Sequence, residues 1–91
     1  MIFKQTDLKE VFVIEQEIIS DSRGWFSRQY CRDEIKANTG YDFDIKQCNY
    51  SYNKNQNTIR GLHFQNPPFE EAKLVSCIKG RILDVIVDIQ P

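Results

Sequence analysis

The feature that most constrains this fold is the period-two alternation of residue types in the last third of the chain. Residues 72–78 and 81–89 flank the short turn sequence Lys79-Gly80. Because successive side chains of a strand point to opposite faces, this pattern predicts two strands joined as a β-hairpin. One face is apolar, and the other carries the carboxylates of Asp84 and Asp88 among isoleucines, which suits the interior of a barrel with a polar site.

The rest of the chain continues the β pattern and adds one helix. Residues 32–39 include Asp33 and Glu34 and are followed by Gly40, which predicts a short helix ended by glycine. The fold prediction is therefore all-β with a short helix, part of a sandwich or barrel. Further strands or extended segments are predicted at residues 11–19, 25–30, 45–52 and 58–65, with a turn cluster at 20–24.

Length and charge exclude several classes of protein. With 91 residues, we expect a single domain over residues 1–91, and a chain of this size forms only a marginal core. A hydrophobic content of 41% and a net charge of −1 argue against intrinsic disorder. No segment is strongly basic, so no nucleic-acid partner is expected. No apolar run approaches the roughly 18 residues of a membrane span, so no membrane partner is expected either.

Cysteine and histidine usage bears on compartment and metal content. Cys31, Cys48 and Cys77 are odd in number and widely spaced, unlike the dense, even set of a small secreted scaffold, so a cytoplasmic location is predicted. His63 is the single histidine, and no cysteine or acid stands at metal-ligand spacing from it. The chain is therefore predicted to hold no metal.

The segment around His63 carries the clearest chemical signal. On a strand, residues 61, 63 and 65 share one face, so His63 and Gln65 would point together. Gly61 on that face would let a ligand or another backbone approach closely. Lys73 follows a proline turn and could lie on a neighbouring strand. An imidazole is a suitable general base and a lysine ammonium can stabilise an enolate oxygen, a pair that fits proton abstraction next to a carbonyl.

A structural interpretation of the same residues stays open at this point. His63 can be a hydrogen-bonded core imidazole, Arg60 a surface ion-pair partner and Lys73 a solvated strand residue. Composition and spacing alone favour that interpretation over the catalytic one.

Five short motifs, in their order and spacing, give a more specific signal. Together they resemble the N-terminal part of the dTDP-4-dehydrorhamnose 3,5-epimerase family, a metal-independent branch of the cupin-like sugar epimerases. The resemblance implies a cupin-like jelly roll or β-sandwich, of which this chain would be the partial, N-terminal half. The motifs are DSRGWF at 21–26, QCNYS at 47–51, RGLHFQ at 60–65, AKLV at 72–75 and KGRILDVIVD at 79–88.

The resemblance also implies a reaction and a catalytic pair. The family epimerises a dTDP-4-keto-6-deoxyhexose at carbons flanking the C4 ketone, in dTDP-rhamnose biosynthesis and without a cofactor. His63 matches the general base that removes the proton alpha to the ketone. Lys73 matches the residue that stabilises the enolate oxygen.

Substrate-binding positions follow from the same resemblance. Arg23 and Phe26 match residues that hold the diphosphate and thymine across a dimer, so a homodimer or larger assembly is expected. Gln47 matches a further nucleotide contact, and Asn49 and Arg60 match positions lining the sugar and phosphate site.

The family continues for roughly as much sequence again, with a tyrosine general acid in its second half, so the chain is expected to be truncated. Two alternatives remain open at this stage. One is a non-catalytic module that binds dTDP-sugars or dimerises. The other is a relative that epimerises a single carbon or isomerises the ketone.

Overall fold

The computed structural model describes residues 1–90, which form two compact units: residues 1–44 with 86–90, and residues 45–85. All regular secondary structure of the described residues lies in the first unit. The prediction of one domain over residues 1–91 stays a prediction, and each unit is described by itself. The strands and helix, in chain order, are β1 Ile2–Gln5, β2 Phe12–Glu15, β3 Ile18–Asp21, β4 Gly24–Ser27 and α1 Arg32–Thr39.

The first hairpin pairs β1 with β2 in antiparallel register, with Phe3 opposite Ile14. Both of these side chains are half-buried, so they form the apolar face of the hairpin. The other face carries an ion pair between Lys4 Nζ and Glu15 Oε1 at 2.6 Å. In the loop, the Thr6 hydroxyl donates to the Val11 carbonyl oxygen at 2.9 Å and closes the turn. Apolar–polar alternation therefore sets the two faces of this hairpin.

The second hairpin pairs β3 with β4, with Ile19 opposite Phe26 and Asp21 opposite Gly24. The predicted continuous strand over 11–19 is thus corrected: it is divided between β2 and β3, which pair with different partners. A strand is defined by its hydrogen-bonded neighbour, and the neighbour changes between Glu15 and Ile18. The predicted turn cluster at 20–24 is shorter than expected, because β3 extends to Asp21 and β4 begins at Gly24.

The helix confirms the sequence prediction at both ends. Gly40 follows α1 with φ of 77°, the left-handed conformation that glycine adopts without a Cβ penalty, and its N–H donates to the Lys36 carbonyl oxygen at 2.9 Å. The carboxylates of Asp33 and Glu34 in the first turn stabilise the helix by interacting with the positive end of its dipole. Ile35 is 4% exposed and is the buried hydrophobic side chain of the described residues.

Aromatic and charged contacts hold the segment after α1 to its start. Phe43 packs edge-on against Tyr30, with ring centroids 6.1 Å apart, and the Tyr30 hydroxyl donates to the Phe43 carbonyl oxygen. Arg32 donates from Nε to Asp42 Oδ1 at 2.6 Å and from Nη2 to Asp42 Oδ2 at 3.0 Å. This guanidinium holds the pKa of Asp42 below its usual value. The helix is therefore fixed by one buried side chain and a bidentate ion pair.

The second unit is built of turns, bends and irregular chain. Phe69 N–H donates to the Asn66 carbonyl oxygen at 2.9 Å in the turn at the prolines, and the chain bends at residues 78–80. Within residues 1–90, no strand ladder forms at 45–52, 58–65, 72–78 or 81–89. The predicted β-hairpin around Lys79-Gly80 is therefore corrected. Alternation specifies which face a side chain takes, whereas a ladder also needs a second backbone in register.

The regular secondary structure of the described residues consists of two small antiparallel sheets, each of two strands, and one helix. This agrees with the all-β prediction with a short helix at that coarse level. The helix of the described residues is too short to cross a membrane.

Candidate functional site

The predicted general base lies in the second unit, in a segment without strand pairing. His63 is exposed, and neither its ring nor its backbone forms a hydrogen bond or ion pair with any residue of 1–90. The interpretation of His63 as a hydrogen-bonded core imidazole is therefore wrong for the described residues. Its ring instead lies against Gly61: a Cβ placed on that glycine would sit 3.3 Å from Nδ1 and 3.7 Å from Cε1.

Gly61 therefore has a different neighbour from the one predicted. The prediction was that its missing side chain admits a ligand or another backbone. In the structure, the group nearest to the position of its missing Cβ is the imidazole two residues further along, with Nδ1 3.3 Å away, and Gly61 has φ of +103°. The sequence pattern showed that room was needed at this position, but not which group would use it.

Among the predicted site residues of the second unit, Arg60 is the one that hydrogen bonds hold within residues 1–90. Its Nη1 donates to Ser51 Oγ at 2.6 Å and its Nη2 donates to the Tyr52 carbonyl oxygen at 3.3 Å. These contacts join the motif at 60–65 to the motif at 47–51. A guanidinium has five N–H donors, so three remain for a ligand after these two bonds. The interpretation of Arg60 as a surface ion-pair partner is not borne out, since its partners are a hydroxyl and a carbonyl.

Ser51 and Tyr52 are functional candidates that the sequence analysis did not single out. Ser51 stands inside the QCNYS motif, but nothing in that motif indicates that its hydroxyl accepts from an arginine nine positions away. The sequence indicated only that the motifs at 47–51 and 60–65 both belong to the set of five that resembles one family.

The remaining predicted residues of the second unit are exposed and solvated. Gln47, Asn49 and Lys73 make no hydrogen bond or ion pair with other residues in the part of the chain described. The prediction that Lys73 could lie on a strand next to His63 is corrected, because no strand ladder forms at either residue. Their side chains are thus accessible to a ligand, and no hydrogen bond or ion pair among residues 1–90 fixes them in one position.

Arg23 and Phe26 lie on the second hairpin of the first unit. Arg23 donates from its backbone N–H to Asp21 Oδ1 at 2.8 Å and from Nη2 to Asp21 Oδ2 at 2.7 Å. Hydrogen bonds from this side chain and backbone hold the pKa of Asp21 below its usual value, so the carboxylate is charged at neutral pH. A shallow depression of about 550 Å³ surrounds the turn and is lined by Ile19, Asp21, Arg23, Gly24, Trp25 and Phe26.

This depression combines a cation with exposed aromatic surface. The Arg23 side chain is 88% exposed, and Trp25 and Phe26 are 69% and 66% exposed. A guanidinium can bind phosphate oxygens and an aromatic ring can stack on a base, so the hairpin has the groups that a nucleotide requires. Among residues 1–90, no cluster of three or more histidine, cysteine or acidic side chains is arranged to hold a metal ion.

Comparison with known proteins identifies the family. The family described as dTDP-4-dehydrorhamnose 3,5-epimerase matches residues 5–91. The chain is 34% identical over 87 residues to the dTDP-4-dehydrorhamnose 3,5-epimerase of Escherichia coli K12, covering 96% of this chain and 46% of that protein. It is 37% identical over 90 residues to the protein of the same name from Sinorhizobium fredii, covering 99% of this chain and 46% of the relative.

A third relative, from Mycobacterium tuberculosis H37Rv, bears the same name and is 34% identical over 87 residues, covering 96% of this chain and 43% of that protein. No solved structure matches the chain. The chain spans about half the length of the curated relatives it matches. The match covers all five sequence motifs, and on this evidence the chain belongs to the dTDP-4-dehydrorhamnose 3,5-epimerase family.

Proposed function

We propose that this chain carries the proton-abstracting step of a dTDP-4-dehydrorhamnose 3,5-epimerase, acting on a dTDP-4-keto-6-deoxyhexose. The observation that supports it most is His63, the single histidine of the chain, in the RGLHFQ motif. Its imidazole is exposed and makes no hydrogen bond within residues 1–90, so it is available for proton transfer. Family membership supports the substrate class, because relatives with this name cover nearly all of the chain.

Two side chains account for the proton and the negative charge in this step. The imidazole of His63 takes the proton from the carbon next to the ketone, and the C–H electron pair forms the carbon–carbon double bond of an enolate. The negative charge develops on the ketone oxygen, where the ammonium group of Lys73 stabilises it. Returning the proton to the same face restores the substrate with exchanged hydrogen, and delivering one to the opposite face inverts the carbon.

The dTDP portion is proposed to bind through five residues. Arg60 is already anchored by Ser51 and Tyr52, so its remaining N–H donors can bind an anionic ligand with little further ordering. Such a preorganised guanidinium suits a phosphate or sugar hydroxyl. The proposed binding residues are Gln47, Asn49 and Arg60 and, reaching over from the second subunit of a dimer, Arg23 and Phe26.

Assembly into a homodimer or larger oligomer belongs to the same proposal. On the second hairpin, Ile18, Ile19, Trp25 and Phe26 are each more than 60% exposed. Exposed clusters of large apolar side chains are typical of interaction surfaces. A cytoplasmic location is also proposed, on the basis of three unpaired cysteines in the described residues.

The test uses the 91-residue chain with dTDP-4-keto-6-deoxyglucose in D2O, followed by ¹H NMR. We expect the signal of a proton next to the ketone to disappear as deuterium replaces it. Lys73→Ala should slow this exchange by about 100-fold or more, because the enolate oxygen loses its cation. Lys79→Ala is the matched control, since Lys79 is likewise exposed, and should leave the rate unchanged.

A parallel titration with dTDP separates catalysis from binding alone. If the wild-type chain binds dTDP with perturbed amide signals but exchanges no proton, the non-catalytic binding module is the better description. If exchange occurs at one carbon only, the single-carbon epimerase is supported instead. Equal exchange rates for Lys73→Ala and Lys79→Ala would refute the role of Lys73.

A further inference from the structure

We infer that Gly61 is a positioning residue for the proposed general base: the absence of a Cβ at this position lets the His63 imidazole lie against the glycine backbone. The inference rests on the proposed function for its catalytic consequence, but the contact itself does not depend on that function. Its basis is a short distance that distinguishes Gly61 from the other glycines of the chain.

The distance shows that the ring lies against the glycine backbone. A Cβ on Gly61 would lie 3.3 Å from His63 Nδ1, 3.4 Å from His63 N and 3.7 Å from His63 Cε1. The first of these is tighter than an ordinary van der Waals contact, so any side chain at 61 would push the ring by a few tenths of an ångström. The edge of the ring that carries Nδ1 and Cε1 therefore faces Gly61, and the Nε2 edge faces away from it.

No hydrogen bond, ion pair or aromatic contact among the described residues holds the ring. His63 has no hydrogen-bond or ion-pair partner within residues 1–90, so no polar group fixes the orientation of the imidazole. The packing against Gly61 then orients the ring. A base must meet the reacting proton at short range and in line, so a displaced ring is expected to lower the rate more than the affinity.

Gly80 provides a matched control for backbone strain. Gly61 and Gly80 have φ of +103° and +85°, a region that L side chains rarely adopt, so alanine strains the backbone at both. At Gly80, however, nothing lies within 4 Å of the position a Cβ would take. Both substitutions therefore strain the backbone, but only Gly61→Ala also brings a Cβ against His63.

The experiment reads the ring directly and then its chemistry. Because the chain has one histidine, the Cε1–H signal of His63 is unambiguous in a ¹³C–¹H spectrum. We expect the wild-type chain to show a nuclear Overhauser effect between this proton and the Gly61 Hα protons. Gly61→Ala should shift the Cε1–H signal, and Gly80→Ala should leave it in place.

In the deuterium-exchange assay, Gly61→Ala should lower kcat by about 10-fold with KM within about two-fold, whereas Gly80→Ala should leave both near wild type. Absence of the Overhauser effect in the wild-type chain overturns the inference, even if Gly61→Ala fails to fold. An unshifted signal in a folded Gly61→Ala chain overturns it as well. If the wild-type chain shows the effect but exchanges no proton, the proposed function fails while the contact stands.

Discussion

Replacing Ile35 with alanine tests how much of the first unit depends on one side chain. The substitution removes three carbons, each contributing about 0.8 kcal/mol when buried. Ile35 is 4% exposed, so nearly all of that contribution, about 2.3 kcal/mol, applies. Alanine has the higher helix propensity and returns about 0.4 kcal/mol. The cavity left behind adds to the cost, so we expect a loss of at least about 2 kcal/mol in the free energy of unfolding.

Ile59→Ala is the control, because it removes the same atoms from a side chain that is 91% exposed and lies outside any helix or strand. The same arithmetic gives about 0.2 kcal/mol for this site. The assay is a urea titration at 25 °C, read from the amide cross-peaks of residues 32–39. A value for Ile35→Ala within about 0.5 kcal/mol of Ile59→Ala would refute the claim that Ile35 anchors the helix.

Three further predictions follow from local contacts. Gly40→Ala should destabilise the helix end by about 1 kcal/mol in the same urea titration, since φ of 77° disfavours any Cβ; an unchanged midpoint would contradict this. Arg32 lowers the folded-state pKa of Asp42 below 3.8, so the pair stabilises the fold above that pH and the stabilisation is lost as pH falls through the folded value. Asp42→Asn should flatten the acid limb of a stability-versus-pH curve, and an unaltered slope would count against the pair. Ser51→Ala removes one partner of Arg60 and should weaken dTDP binding by a few-fold in an NMR titration, an effect absent if Arg60 does not contact the ligand.

Local signals predicted the helix well. Its acidic first turn and the glycine after its last residue lie within a few positions of the bonds they affect, and α1 occupies the predicted residues 32–39. The β-branched and aromatic residues of 11–19 were also a real strand signal. This signal did not indicate that β2 pairs with β1 whereas β3 pairs with β4, because pairing depends on where the partner strands lie.

The hairpin predicted from residues 72–78 and 81–89 shows where local reasoning ends. The alternation is plain in the sequence, and Gly80 has the positive φ of a turn residue, yet no ladder forms in the described residues. Register and pairing depend on a second backbone distant in sequence, which a one-dimensional pattern does not encode.

The candidate site divides in the same way. The resemblance carried by the five motifs predicts which side chains carry the chemistry, with His63 and Lys73 at the centre, and those roles stay predictions. The contacts of Arg60 with Ser51 and Tyr52 were not predictable, because they depend on how the chain folds back on itself. The contact of His63 with Gly61 depends on the backbone conformation at Gly61, which residue types do not specify.

The role of His63 as general base is the central claim, and hydrogen–deuterium exchange of the ketosugar tests it most directly. With dTDP-4-keto-6-deoxyglucose in D2O, the wild-type chain should replace a proton next to the ketone. His63→Ala should lower that rate by about 100-fold or more, while its affinity for dTDP stays near wild type. Equal rates for the two chains, or no exchange by a wild-type chain saturated with the sugar nucleotide, would contradict the account.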